Sequence, residues 1–241
     1  MKHLVIALAL LLAVSLRAQA PQPVPLAQGG QPGEPHHHLK IENEYVRAYY
    51  VEVPPHESTQ LHQHDHDYLY VVLGDSDVVN AVLNKPEVHL TPKDGEVHFT
   101  RGGFAHVARN QADTPFRNVT IELLHPQDHL QNLCKSVAPG DPGPCEKNGK
   151  DTDGYVEEPW FETNEFRVEF LELRPNAKLV ERIPSGCLYV ALDEGQLQDE
   201  PGKPSADGQA GNTLWLKGGT ILNLRNSRPS ASRFLLVRLK P

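Results

Sequence analysis

Residues 95–110 read GEVHFTRGGFAHVARN, and residues 215–226 read WLKGGTILNLRN. Laid so that Gly102-Gly103 falls over Gly218-Gly219, each stretch runs from a short apolar segment through a glycine pair into an alternating segment closed by asparagine, Asn110 and Asn226. Paired glycines between two β-favouring runs mark a tight turn that brings the chain back beside itself. The match extends outward in both directions. NEYVRAYYVEVPP (43–55) lies over NEFRVEFLELRP (164–175) with one residue deleted, DYLYVVL (67–73) over GCLYVAL (186–192), and FRNVTIELLHP (116–126) more loosely over SRFLLVRLKP (232–241). Four segments agreeing in the same order indicate a tandem duplication.

Within each copy the apolar runs are short and rich in Val, Leu, Tyr and Phe: Val46–Val53, Tyr68–Leu73, Val78–Val82, Val97–Phe99 and Val119–Leu124 in the first. Pro54-Pro55, Gly74-Asp75 and Lys93-Asp94-Gly95 separate them, and no long segment carries a helical period. Such a pattern predicts an all-β sandwich or barrel. The expected divisions are one β unit over 39–126, a second over 158–241, and a linker over 127–157 rich in Gly, Pro and Asp. Residues 21–38, mostly Pro, Gln and Gly and ending in His36-His37-His38, read as a flexible, solvated lead-in.

The chain of 241 residues carries a formal charge of −8, so it offers no basic footprint for nucleic acid or an anionic membrane. Met1-Lys2-His3, the apolar run Leu4 to Leu16 and Ala18-Gln19-Ala20 make a secretory signal over residues 1–20. An uncleaved anchor is the alternative, but the run falls short of the roughly 20 apolar residues that span a bilayer. A secreted or periplasmic protein, free of the membrane after cleavage, follows. Export permits disulfides. Cys134 and Cys145 flank a Pro/Gly-rich loop and are expected to close it, the other reading being two free thiols. Cys187, in CLYVAL, reads as a buried small hydrophobe.

His62-Gln63-His64 sits on a short extended segment, where residues two apart share a face. Both imidazoles can meet one ion, with His106 delivered beside them by the Gly102-Gly103 turn. Three neutral imidazoles leave positions for water, substrate or dioxygen. The competing reading is a His/Asp-rich surface loop (HQHDHD) that collects metal adventitiously. Tyr68 and Tyr70 share the parity of His64 and read as pocket-mouth residues or as aromatic filler. Asn118-Val119-Thr120 matches a glycosylation acceptor but lies in an expected strand.

Pro55-His56-x5-His62-x-His64 resembles the first motif of the cupin superfamily, with His56 where Gly is usual. Gly95-x5-Arg101-x-Gly103-x2-His106-x3-Asn110 resembles the second at every spacing, with Arg101 where Pro is usual. With the duplication, residues 39–241 resemble a bicupin. That resemblance implies two tandem double-stranded β-helix barrels of jelly-roll type, and one divalent transition metal on His62, His64 and His106. Where the family places a glutamate, this sequence has Tyr68 and Leu69. The site is therefore three-histidine, or admits Asp67 through a bulge, or recruits His66. Loss of that glutamate weakens any likeness to manganese oxalate enzymes or zinc sugar-phosphate isomerases. It leaves three-histidine iron cupins compatible, so iron is placed ahead of Mn, Zn, Ni and Cu. In the second unit Glu181, Ile183 and Leu222 replace the three histidines, and that barrel is expected to be metal-free.

Two functions remain open on the sequence. One is an exported metal-dependent oxygenase of a small organic substrate, with Asp67 or Tyr68 near the metal. The other is a non-catalytic cupin holding a small ligand or partner. The two units are expected to pack together, and homo-oligomers through their sheet edges stay open.

Overall fold

The computed structural model describes residues 31–143, 145, 149–193 and 209–241. The expected signal over 1–20 and most of the lead-in lie outside the described residues. Among the described residues eighteen strands carry the fold: β1 (His37–Glu42), β2 (Val46–Val53), β3 (His62–His64), β4 (Asp67–Val72), β5 (Val78–Val82), β6 (Val88–Leu90), β7 (Val97–Thr100), β8 (Phe104–Asn110) and β9 (Phe116–Leu123) in the first half. The second half has β10 (Gln131–Asn132), β11 (Lys150–Asp151), β12 (Tyr155–Glu162), β13 (Phe166–Leu173), β14 (Lys178–Arg182), β15 (Cys187–Ala191), β16 (Thr213–Leu216), β17 (Ile221–Arg225) and β18 (Ser232–Leu239).

Each half pairs its strands in two sheets: β1-β2-β9-β4-β7 and β3-β8-β5-β6 in the first, β10-β12-β13-β18-β15-β16 (with β11 on β12) and β14-β17 in the second. The duplication holds residue by residue. His62 pairs with His106 across β3 and β8, and Glu181 pairs with Leu222 across β14 and β17. Asn110 Nδ2 donates to the carbonyls of Val53, Pro54 and Thr114, and its Oδ1 accepts from Ala112 N. Asn226 makes the same four bonds, to Leu173, Arg174 and Ser230 and from Arg228 N. One buried amide thus satisfies a corner of four backbone groups in each barrel, which explains its recurrence.

The central strands β2, β9 and β4 of the five-stranded sheet are buried on both faces, while the edge strand β1 is largely exposed. Alternation sends Tyr49, Val51 and Val53 into the first barrel, and Val46 and Ala48 out of its other face. That outer face, with Leu69, Val71, Phe99 and Ile121, shares one core with Phe161, Phe166, Val168, Leu188 and Val237 of the second unit. Phe99 and Phe161 meet at 5.4 Å between ring centres. The units are joined sheet face to sheet face, as expected from their unpaired apolar surfaces. Cys134 and Cys145 are bonded in a disulfide across the segment between the units. That segment is partly ordered by pairing, since β10 and β11 both add to β12.

The reading of 36–38 as solvated tail is corrected for His36 and His37, whereas His38 is exposed. β1 begins at His37, whose side chain is only 4% exposed, and the neighbouring Glu34 side chain is fully buried. Asn118 is also buried, and its Oδ1 accepts from Thr120 Oγ1 at 2.8 Å, so the folded chain does not present it as a glycosylation acceptor.

Candidate metal centre

β3 and β8 bring three histidines to one point. His62 and His64 alternate inward from β3, which shows a buried–exposed–buried pattern, and His106 stands opposite His62 in the register. The turn that positions β8 requires its glycines. A side chain at Gly102 would place Cβ 2.5 Å from the His66 carbonyl, and Gly103 takes φ +86° while its N–H donates to the His64 carbonyl at 2.7 Å. The turn is thereby stitched directly onto the strand that carries two of the imidazoles.

His106 Nε2 lies 3.0 Å from His64 Nε2 and 3.1 Å from His62 Nε2. The other ring nitrogens fix the protons. His62 Nδ1 is 2.9 Å from the Gln60 carbonyl, and His106 Nδ1 is 2.7 Å from Asn80 Oδ1. Both of those partners are acceptors, so each Nδ1 carries its hydrogen and each Nε2 presents a lone pair. Two lone pairs 3.1 Å apart make no hydrogen bond. They suit a shared cation, because this separation is what neighbouring ligands show when metal–nitrogen bonds are about 2.1 Å. Burial pushes the His62 pKa down to about 4, helped by the neighbouring His37, and that of His106 down to about 3, helped by His62. His64 is depressed further by burial and by the other two rings. All three are neutral, as ligands must be. The residues present therefore fit a metal ion.

The cavity above them, about 80 Å³, lies between the two sheets of the first unit and is walled mainly by apolar groups such as Val51, Val78 and Phe116. Tyr68 and Tyr70 both line it. Tyr68 stacks on His64 at 4.2 Å and occupies the position where a glutamate ligand was sought, while Tyr70 stacks on His98 at 4.8 Å. Burial raises both phenols, Tyr70 to about 12, so neither ionises near neutrality.

Asp67 is corrected as a ligand. Its carboxylate accepts from Arg101 Nη1 at 2.6 Å and from Gly102 N at 3.0 Å. Among the described residues the converging ligand set is His62, His64 and His106, with neither Asp67 nor His66 in it. Asp67 instead braces the glycine turn, and Arg101 continues that brace to the Gln127 carbonyl.

Three functional residues escaped the sequence reading. Asn80 sets the His106 tautomer, and a lone Asn at an inward-alternating position of VVNAV was the available signal. Glu34 and His37 belong to the supposed lead-in. Glu34 accepts from His36 N (2.7 Å) and Gln60 N (3.1 Å), and contacts Nδ1 of His36 (2.8 Å) and of His37 (2.6 Å). Burial alone would raise its pKa, but the bonds from His37 and His36 outweigh it and hold the carboxyl at about 2. His37 lines the cavity and lies 4.8 Å from the His62 ring.

The second barrel closes the equivalent space. Ile183 and Leu222 sit in a packed apolar interior with Leu171, Tyr189 and Phe234. Glu181, in the place of His62, ion-pairs with Arg238 Nη2 at 2.8 Å, and Arg238 also holds Glu169 and Glu157.

No protein-family model matches the sequence, and no curated protein matches it. Solved structures do. A salicylate 1,2-dioxygenase variant from Pseudoaminobacter salicylatoxidans, crystallised with gentisate, superposes with a TM-score of 0.58 over 89% of this chain and 76% of its own, at 13% identity. A putative glyoxylate-induced protein from Pseudomonas aeruginosa gives 0.55 over 82% and 75%, at 16% identity. A cupin domain from Bordetella pertussis Tohama I matches 36% of this chain and 90% of its own at 26% identity, with a TM-score of 0.35.

Proposed function

We propose that the chain, which has the fold of two cupin barrels in tandem, is an exported oxygenase, using one divalent metal, iron first, on a small organic substrate. The observation that carries the reading is the His62–His106 contact, two imidazole lone pairs meeting at 3.1 Å in a buried pocket. His62, His64 and His106 would hold the ion, which when bound supplies Lewis acidity and a binding place for substrate and dioxygen.

The chain's own residues do the rest. Gln60 and Asn80 keep the ligand nitrogens turned inward. Tyr68, packed against His64, holds that ring and blocks the position of a fourth carboxylate. Val51, Val78 and Phe116 exclude bulk water, which strengthens every polar contact made inside. The cavity's size restricts the substrate to a few non-hydrogen atoms inside the barrel.

Oxygen uptake by protein loaded with Fe(II) tests the proposal against small diketones, thiols and hydroxy acids. Uptake with one of these classes, lost in His106→Ala, supports it. A stoichiometrically loaded protein that consumes no oxygen with any of them is a binding module instead.

A further inference from the structure

A carboxylate buried in a segment ahead of the first strand demands a reason. Removing an ionised carboxylate from water is costly unless every lone pair finds a donor. Glu34 has that satisfaction from His36, His37 and Gln60, which ties the segment to the residue two before His62. The product of this arrangement is the orientation of one ring. His37 Nδ1 is committed to the Glu34 carboxylate at 2.6 Å, and a carboxylate only accepts, so the hydrogen is on Nδ1. In the neutral ring His37 Nε2 then carries a lone pair; it has no partner among the described residues and belongs to a side chain that lines the cavity. His37 stands beside His62 with ring centres 4.8 Å apart, yet it is outside the converging ligand set. It is therefore placed next to the metal position rather than on it.

We propose that His37, oriented by Glu34, is a substrate-binding residue whose Nε2 accepts a hydrogen bond from a hydroxyl group of a small ligand held at the metal. The substrate class this selects is a compact hydroxy or enol compound with two oxygens, one donated to the ion and a protic one to His37. In a cavity walled by Val51, Val53, Val78 and Phe116, an acceptor without a protein partner, on a side chain only 4% exposed, favours an O–H donor. The inference rests on the metal reading above, and its test separates the two.

Protein loaded with Co(II) is titrated with glycolate and with methoxyacetate, following the visible cobalt spectrum. Both probes offer a carboxylate to the ion, but only glycolate carries a hydroxyl donor. Wild type is expected to bind glycolate about tenfold more tightly, as one buried hydrogen bond allows. His37→Ala should erase the preference while leaving cobalt stoichiometry and the ligand-free spectrum unchanged. Glu34→Gln, which exchanges the carboxylate for an amide that can either accept from or donate to His37 Nδ1 and so no longer fixes its hydrogen, should reduce it. Three results overturn the assignment. Equal glycolate preference in wild type and His37→Ala removes His37 as the anchor while the metal site stands. A changed cobalt spectrum in ligand-free His37→Ala makes His37 a ligand. Failure of wild type to bind cobalt removes the metal reading and this inference with it.

Discussion

Asn80 and Asn110 show how much a single amide can decide. Asn80 faces His106 Nδ1 and thereby fixes which nitrogen points at the ion. Its replacement by alanine is expected to lower metal affinity by about 10–100-fold, measured by competition with a chelator, while the fold persists. Protonation acts on the same rings. The folded His62 and His106 titrate near 4 and 3 against 6.5 for free imidazole, so below about pH 6.5 the unfolded chain takes up protons that the folded chain refuses. Metal-free protein should be most stable above that pH and lose stability progressively as pH falls towards 3. Glu34 adds in the same direction, its contribution present above 4.5 and lost as pH falls towards 2. Urea midpoints at pH 7 and pH 5 test this, and a midpoint that does not fall contradicts it. The metal itself should stay bound near pH 5, where exposed histidines are protonated and release theirs.

Strand parity made β3 legible. His62 and His64 share a face because any extended segment puts them there, and the glycine pair announced the turn that delivers His106. What parity cannot supply is a partner chosen by tertiary packing. Asp67 looked like a ligand by proximity in sequence, yet it caps the glycine turn through Gly102 N. His37 looked like tail because its neighbours are polar, and only the burial of Glu34 against Gln60 brings it to the cavity. The Gly102 turn is the element most sensitive to substitution. Gly102→Ala must displace the His66 carbonyl, 2.5 Å from the new Cβ, and so shift the strand bearing His62 and His64. Weakened metal binding in a folded protein, seen by calorimetry and circular dichroism, is the expected outcome. Unchanged affinity would mean that the turn does not position the site.

Across the whole molecule the duplicated barrels have diverged in what fills them. The first keeps a cavity, whereas the second packs Ile183 and Leu222 and closes the ligand position with the Glu181–Arg238 pair. The second barrel instead covers the apolar outer sheet of the first. A fragment ending at residue 126 should therefore expose Val46, Leu69 and Ile121 and aggregate, as size-exclusion chromatography would show; a monomeric fragment that retains metal would contradict this. Reduction of Cys134–Cys145 should cost about 2–3 kcal/mol through loop entropy and leave the metal in place, because the bridge lies outside the barrel that holds it. The most direct measurement is the metal content of untagged protein purified at neutral pH. One ion per chain in wild type, falling to near zero in both His62→Ala and His106→Ala, is the predicted result; content near zero in wild type, or content that survives both substitutions, would contradict it.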